Sequence, residues 1–209
     1  MGRSAALQAL RAQIRALEGG PRVQRRRVPC GVASVDAVIG GLPTPGVVEI
    51  CGQAGSGRTR LALAIAARVT HARGAVCWVD PLARLYPVAV VQHGVQPERF
   101  LVVRPTEDGA SPWAWATEQL LRSGCFSVVV VELPPRTGSR RALTQTWARA
   151  AEHGHCTALV LSHRPTRELP ADVRLSVGGG RMVVMRDRTG TIGGSPPLPD
   201  WPVGHGPLA

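Results

Sequence analysis

The sequence predicts an α/β fold in which a mostly parallel sheet is flanked by helices, with a helical N-terminal arm and an irregular C-terminal tail. Short apolar runs alternate with amphipathic stretches between residues 31 and 188. The runs are almost continuously apolar, which is typical of parallel strands covered on both faces. A glycine-rich loop joins one of these runs to a helical stretch. We therefore expect an arm over residues 1–30, a core over 31–188 and a tail over 189–209.

The arm is predicted to contain an amphipathic helix over residues 5–18. Four apolar residues recur there at steps of three, four and three, and so share one helix face: Leu7, Leu10, Ile14 and Leu17. Gly19-Gly20-Pro21 ends the pattern. A helix of this length cannot bury its apolar stripe alone, so we expect the stripe to pack on the core or on another protein.

The arm also concentrates the positive charge. All 25 basic residues of the chain are arginine, and 14 acidic residues leave a formal net charge of +11. Residues 1–30 hold seven arginines against one glutamate. Two interpretations of Arg25, Arg26 and Arg27 stay open: weak, non-specific contact with DNA phosphates, and a solvated linker. A GC-rich genome explains most of the arginines, because lysine and asparagine are both absent.

The core is predicted from five apolar runs and the stretches between them. The expected strands are Val47–Ile50, Val76–Asp80, Phe100–Arg104, Ser127–Glu132 and Thr157–Ser162. The expected helices cover residues 58–72, 82–93, 112–123 and 139–153. Val173–Val177 and Arg181–Arg186 flank a glycine triplet and predict a hairpin at the sheet edge. Half of residues 190–209 are glycine or proline, so we expect no regular structure there.

Composition argues against several classes of protein. The longest apolar runs are too short to cross a bilayer, and the first residues lack the apolar segment of a secretory signal. The five cysteines are scattered without CxxC spacing. This pattern predicts free thiols in a reducing compartment rather than a metal site or a disulfide framework. We therefore expect a cytoplasmic protein with neither a bound metal nor a membrane partner.

The most specific motif is the loop that runs from Gly52 to Thr59 between an apolar strand and a helical stretch. This is the context that the phosphate-binding sequence GxxxxGK[ST] requires. Gly52, Gly55 and Gly57 let backbone N–H groups turn toward phosphate oxygens. The hydroxyl of Thr59 is placed to reach a magnesium ion. The motif therefore predicts a phosphate-loop fold.

Two positions depart from the usual chemistry of such a loop. Arg58 stands where the motif has lysine, and its guanidinium is a larger planar fork with a different donor geometry. Glu132 ends a later strand where aspartate is usual, and it is one methylene longer. Binding of ATP with magnesium stays open on these grounds, whereas we expect alignment for phosphoryl transfer to be lost.

Further stretches resemble a known family. Gly31–Asp36, Gly40–Pro43 and Gly46–Ile50, followed by the phosphate loop, resemble the opening of the RecA recombinase core. Val79-Asp80-Pro81 and the block Trp113–Gly124 are similar to ImuA proteins. ImuA proteins are short RecA-like relatives encoded in bacterial DNA-damage-induced mutagenesis cassettes. The resemblance covers the arm and the core and weakens in the tail.

The resemblance implies a RecA-like core without its catalytic base. In RecA, a glutamate that activates water lies two residues after the aspartate that ends the second core strand. The matching position after Asp80 is Leu82, which cannot accept a proton, so we expect little or no ATPase activity. RecA also holds single-stranded DNA with two loops, and the matching loops make Arg136, Arg164 and Arg167 candidates for weak DNA contacts.

The resemblance also implies partners. In RecA the equivalent N-terminal helix docks on the neighbouring subunit, so the stripe of the arm is predicted to dock on RecA or on another copy of this chain. The expected role is a non-catalytic adaptor in SOS translesion synthesis that modulates RecA filaments. It would bind RecA and the polymerase-like ImuB, and reach an error-prone replicative-type polymerase through ImuB. Trp113, Trp115 and Trp147 are candidate anchors, although core packing is the expected role of at least two of them.

Two other functions stay open at the level of sequence. An ATP-dependent DNA recombination factor would turn over ATP with magnesium when single-stranded DNA is present. A cell-division inhibitor similar to SulA would bind FtsZ rather than RecA.

Overall fold

The structure is a computed structural model that describes residues 25–105, 112–134, 141–166, 169–188 and 196–198. Several predicted features lie outside these residues: the helix with Leu7, Leu10, Ile14 and Leu17, the loop residues Arg136 and Arg167, and most of the tail.

Strands and helices alternate along the core. Their order is β1 (Arg26–Val28), α1 (Ala33–Ile39), β2 (Leu42–Thr44), β3 (Gly46–Cys51), α2 (Arg58–His71), β4 (Val76–Val79), α3 (Pro87–Gln92), β5 (Phe100–Val103), α4 (Pro112–Arg122), β6 (Val128–Glu132), α5 (Arg141–His153), β7 (Thr157–Ser162), β8 (Val173–Gly178) and β9 (Arg181–Asp187). A short 3-10 turn, Pro97–Arg99, precedes β5.

The main sheet has seven strands in the order β5-β4-β6-β7-β3-β8-β9. All neighbours in it are parallel except β8 and β9, which form an antiparallel hairpin at one edge. The predicted α/β class and the predicted edge hairpin are therefore confirmed. Because the first six strands in this order are parallel, their carboxyl ends meet at one edge of the sheet, and the phosphate loop leaves β3 at that edge.

Apolar side chains fill both faces of the sheet. All residues of β3, β4, β6 and β7 are buried, which explains why these strands are almost continuously apolar in sequence. One buried cluster packs α1, α2 and α3 on one face. A second cluster packs α4 and α5 on the other face. None of the helices within the described ranges is both long enough and apolar enough to cross a bilayer.

The helix predicted over residues 82–93 is wrong in its first half, because α3 begins only at Pro87. The carboxylate of Asp80 accepts hydrogen bonds from the backbone N–H groups of Arg84 (2.9 Å) and Leu85 (3.1 Å). Ala83 also takes a positive φ of 50°. These contacts and the positive φ hold residues 80–85 in a turn whose backbone conformation is incompatible with an α-helix. Pro87 then starts the helix at a position where its missing N–H costs nothing.

Part of the predicted arm belongs to the fold. β1 pairs antiparallel with β2, so residues 26–28 lie against the core. The guanidinium of Arg25 donates hydrogen bonds to Asp172 and to Glu152, and that of Arg27 donates to Asp187. The described end of the arm is therefore fastened to the core by ion pairs.

Candidate functional site

The phosphate loop has the backbone geometry that its glycines predict. The N–H of Gly52 donates to the carbonyl of Ser162 at 3.0 Å, which anchors the start of the loop beside β7. A Cβ atom on Gly52 would lie only 2.4 Å from the carbonyl oxygen of Val177. Gly55 and Gly57 have φ values of 77° and 95°, which L side chains rarely adopt. A cavity of about 530 Å³ opens outside the loop, lined mainly by residues 53–60.

Arg58 does not extend into that space. Its Nη2 atom donates to Glu132 Oε1 at 2.9 Å, and its Nη1 atom donates to the carbonyl of Gly52. Nη1 also lies 3.5 Å from the carbonyl of Ser162. The side chain is 7% exposed. The fork therefore turns inward, beneath the loop, and binds groups of the protein itself.

Glu132 is the acidic partner of this buried pair. It ends β6, next to β7 in the sheet, and its side chain is 8% exposed. The methylene that distinguishes glutamate from aspartate lengthens its reach, and arginine is likewise longer than lysine. The two departures from the usual motif are therefore the two halves of one ion pair.

His163 completes the cluster. Its Nε2 atom lies 3.4 Å from Arg58 Nη2. Burial and the nearby charge of Arg58 lower the pKa of His163 below its ordinary value, and Glu132 opposes the shift. This shift favours the neutral imidazole beside the guanidinium of Arg58.

This arrangement does not fit a magnesium–nucleoside triphosphate. The cation that a phosphate loop offers to the terminal phosphates is paired with Glu132, and the carboxylate available to a metal is paired with Arg58. Leu82 lies half-buried in the turn after β4 and offers no carboxylate. Thr59 is half-buried in the first turn of α2. In the described residues, no group of three or more histidine, cysteine, aspartate or glutamate side chains is arranged to hold a metal ion.

The structure separates the candidate DNA contacts into two kinds. Arg25 and Arg27 bind the carboxylates of Asp172 and Asp187, which are almost completely buried. Using these arginines for phosphates would leave buried carboxylates with fewer partners. Arg26 and Arg164 are exposed. Arg136 and Arg167 lie outside the described residues.

The three candidate tryptophans differ in their exposure to solvent. Trp147 is buried and donates its indole N–H to the carbonyl of Ala114 at 3.2 Å. Its ring packs edge-on against Trp113, with the centroids 5.8 Å apart. Trp115 is 66% exposed on α4. The expected core role holds for Trp113 and Trp147, and Trp115 remains a candidate anchor.

Sequence reasoning missed a second buried charged network. Glu49, in the centre of β3, accepts hydrogen bonds from Ser162 Oγ (2.7 Å), from the Thr166 N–H (2.9 Å) and from the guanidinium of Arg174. Arg174 also donates to the carbonyl groups of Thr166 and Leu169. The network fastens the described parts of the loop after β7 to the sheet. A glutamate inside an otherwise apolar strand is the signal that points to it.

Comparison with known proteins agrees with this architecture. The family described as the RecA N-terminal domain matches residues 11–139, more than half of the chain. RecA of Brucella anthropi is 35% identical over 117 residues, which cover 55% of this chain and 32% of that protein. RecA of Thermus thermophilus is 36% identical over 114 residues, 54% of this chain and 33% of that protein. The matched region is thus about a third of each RecA, and the chain belongs to the RecA N-terminal domain family.

Proposed function

We propose that this chain is a non-catalytic RecA-like adaptor of DNA-damage-induced translesion synthesis and mutagenesis. In this role it docks on RecA and on the polymerase-like ImuB, and it modulates RecA filaments without turning over ATP itself. Family membership supports a setting in DNA recombination and repair. The similarity of Val79-Asp80-Pro81 and Trp113–Gly124 to ImuA proteins supports the narrower role.

The Arg58–Glu132 ion pair is the observation that carries the proposal. Both side chains are buried, and each neutralises the group that a working phosphate loop would present to nucleotide or metal. Leu82 supplies no general base at the position where RecA has one. A RecA-like subunit built in this way keeps the fold that partners recognise and lacks the groups that hydrolysis needs.

An apolar groove beside β5 supports a role in protein contact. β5 is an edge strand and pairs only with β4 among the described residues. The groove has a volume of about 410 Å³ and lies between α3 and β5, with Val90, Val91, Phe100 and Val102 in its lining. We call it the β5 groove. A free strand edge beside exposed apolar side chains is a surface that extended or helical segments of another protein can cover.

The proposal is tested by adding the purified chain to RecA on single-stranded DNA. We expect the chain to be captured by RecA and to lower RecA's ATP turnover in a concentration-dependent way, because each incorporated copy adds no active site. Failure to bind RecA would contradict the proposal. Turnover of ATP by the chain alone on single-stranded DNA would favour a recombination factor. Capture of FtsZ in place of RecA would favour a cell-division inhibitor.

A further inference from the structure

A short segment of the tail runs beside the phosphate loop. Residues 196–198, here called the strap, pair with the start of β9 through an antiparallel bridge between Pro197 and Arg181. The N–H of Met182 donates to the carbonyl of Pro196 at 3.1 Å, and the N–H of Leu198 donates to the carbonyl of Gly180 at 2.8 Å. The strap thus has a defined place on the outer edge of the hairpin.

Leu198 carries the contact with the loop. A Cβ atom built on Gly57 would lie 3.4 Å from Leu198 Cδ1, so the isobutyl group covers the residue that precedes Arg58. Leu198 also packs against the buried cluster on the α2 face and lines the 530 Å³ cavity outside the loop. An isobutyl group offers no hydrogen bond. Phosphate oxygens brought beside it would lose water without replacement.

We propose that ligand binding at the phosphate loop is opposed from two sides, by Arg58 from within and by Leu198 of the strap at the wall of the outer cavity, and that the strap can be displaced. Among the described residues, main-chain hydrogen bonds to the β8–β9 hairpin and the packing of Leu198 hold it at the edge of the sheet, where it can open without disturbing the inner strands. The strap residues Pro196, Pro197 and Leu198 carry no charge, so they offer no substitute for a phosphate or a metal. This inference rests on the proposed function, in which Arg58 already keeps the phosphate loop from binding nucleotide.

Because Arg58 and Leu198 oppose ligand binding independently, removing only one of them should not restore it. Replacing arginine by lysine frees a cation for phosphates but leaves the isobutyl group beside Gly57. Shortening Leu198 opens the outer side but leaves the guanidinium bound to Glu132. Each change alone is therefore expected to recover little ligand binding, and the two together are expected to recover more than either.

The test is titration of four full-length proteins with magnesium–ATP and, separately, with inorganic triphosphate. The proteins are the parent, Arg58→Lys, Leu198→Ala and the double variant. We expect the double variant to bind both probes at least tenfold more tightly than Arg58→Lys, and Leu198→Ala to behave as the parent does. A matched control combines Arg58→Lys with Val183→Ala, since Val183 is exposed on β9 and does not line the loop cavity. This control should bind as Arg58→Lys binds.

Two results would overturn the inference. One is equal affinity of Arg58→Lys and the double variant, which would mean that the strap closes nothing. The other is binding by Leu198→Ala as tight as that of the double variant, which would mean that Arg58 closes nothing.

If the Arg58 variants fail to fold, hydrogen exchange in the parent and in Leu198→Ala tests whether Leu198 holds the strap against β9. If the strap is formed, the Met182 and Leu198 amides are protected from exchange in the parent. In Leu198→Ala we expect both amides to exchange at least tenfold faster, while the amides of β3 keep their protection. Exchange of the Met182 and Leu198 amides at the rate of an unstructured peptide in the parent would refute the strap. RecA takes no part in these measurements, so failure of the strap and failure of RecA docking are separate results.

Discussion

Arg58 and Glu132 are each longer than the residue usual at their position, and the two extensions meet in one buried ion pair. Separately, each substitution suggests a damaged phosphate site. Together they form a contact that fixes the guanidinium beneath the loop. Arg58 Nε is buried and has no hydrogen-bond acceptor among the described residues, so the guanidinium is held by its terminal nitrogens, with Nη2 on Glu132 and Nη1 on the Gly52 carbonyl.

Breaking this pair from one side is expected to be costly. Glu132→Ala leaves the guanidinium buried without its counter-charge, and we expect the free energy of unfolding to fall by about 3–5 kcal/mol. The double variant Arg58→Met/Glu132→Leu removes both charges and should lose less than the single variant. Urea unfolding of both proteins measures the difference.

The control for this measurement is the surface ion pair of half-buried Glu118 and exposed Arg122 on α4. Glu118→Ala is expected to change the free energy of unfolding by less than about 1 kcal/mol. A double variant that loses as much as Glu132→Ala would show that packing, and not the unpaired charge, sets the cost.

The cysteines give a second prediction at the scale of single residues. Burial raises the pKa values of Cys30, Cys77 and Cys156 from 9.0 to about 12, whereas Cys125 is exposed. In the native protein we expect a thiol reagent to modify Cys125 rapidly and the other four cysteines only after unfolding. Rapid modification of a second thiol in the native state would contradict this burial pattern.

The same thiols make stability depend on alkaline pH. The unfolded chain releases their protons near pH 9, while the folded chain keeps them to about pH 12. The stabilising contribution is therefore fully present below pH 9 and is lost as the pH rises from 9 toward 12. Chemical unfolding at several pH values, with Cys77→Ala as the comparison, is expected to show a shallower decline in the variant.

At the scale of elements, the sequence predicts the strands better than the turns that join them. The run of four valines in β6 is buried on both faces, so composition alone identifies it. The turn after β4 depends on hydrogen bonds to Asp80 that no periodicity reveals. The ion pairs of Arg25 and Arg27 are equally hidden, because their partners lie more than 100 residues away in sequence. Long-range polar contacts are therefore what sequence reasoning misses.

The β5 groove gives a prediction with a matched control. Val102 on β5 is 38% exposed and Val183 on β9 is 40% exposed, and both lie on edge strands of the same sheet. If the groove docks RecA, Val102→Asp should weaken RecA capture at least tenfold, because it places a charge in an apolar contact. Val183→Asp should bind as the parent does. Equal effects of the two variants, or no effect of Val102→Asp with the melting temperature unchanged, would exclude the groove.

At the scale of the whole molecule, the count of 25 arginines overstates the cations that are free to bind DNA. Arg58 and Arg174 are buried in ion pairs, and Arg25 and Arg27 are bound to acidic side chains of the core.

The phosphate-loop fold, the edge hairpin and the loss of the usual lysine can all be predicted from the sequence. The direction in which the Arg58 side chain points cannot be predicted from the sequence, because it depends on Glu132, which lies 74 residues further along the chain.

A phosphate loop occupied by its own Arg58–Glu132 pair should neither bind nor hydrolyse ATP in the intact chain. Titration calorimetry with magnesium–ATP, followed by a turnover assay with single-stranded DNA and without RecA, measures this. We expect no binding heat at millimolar nucleotide and no turnover above the buffer rate, because Arg58 and Glu132 satisfy each other. Saturable binding with turnover that rises on addition of single-stranded DNA would contradict the account.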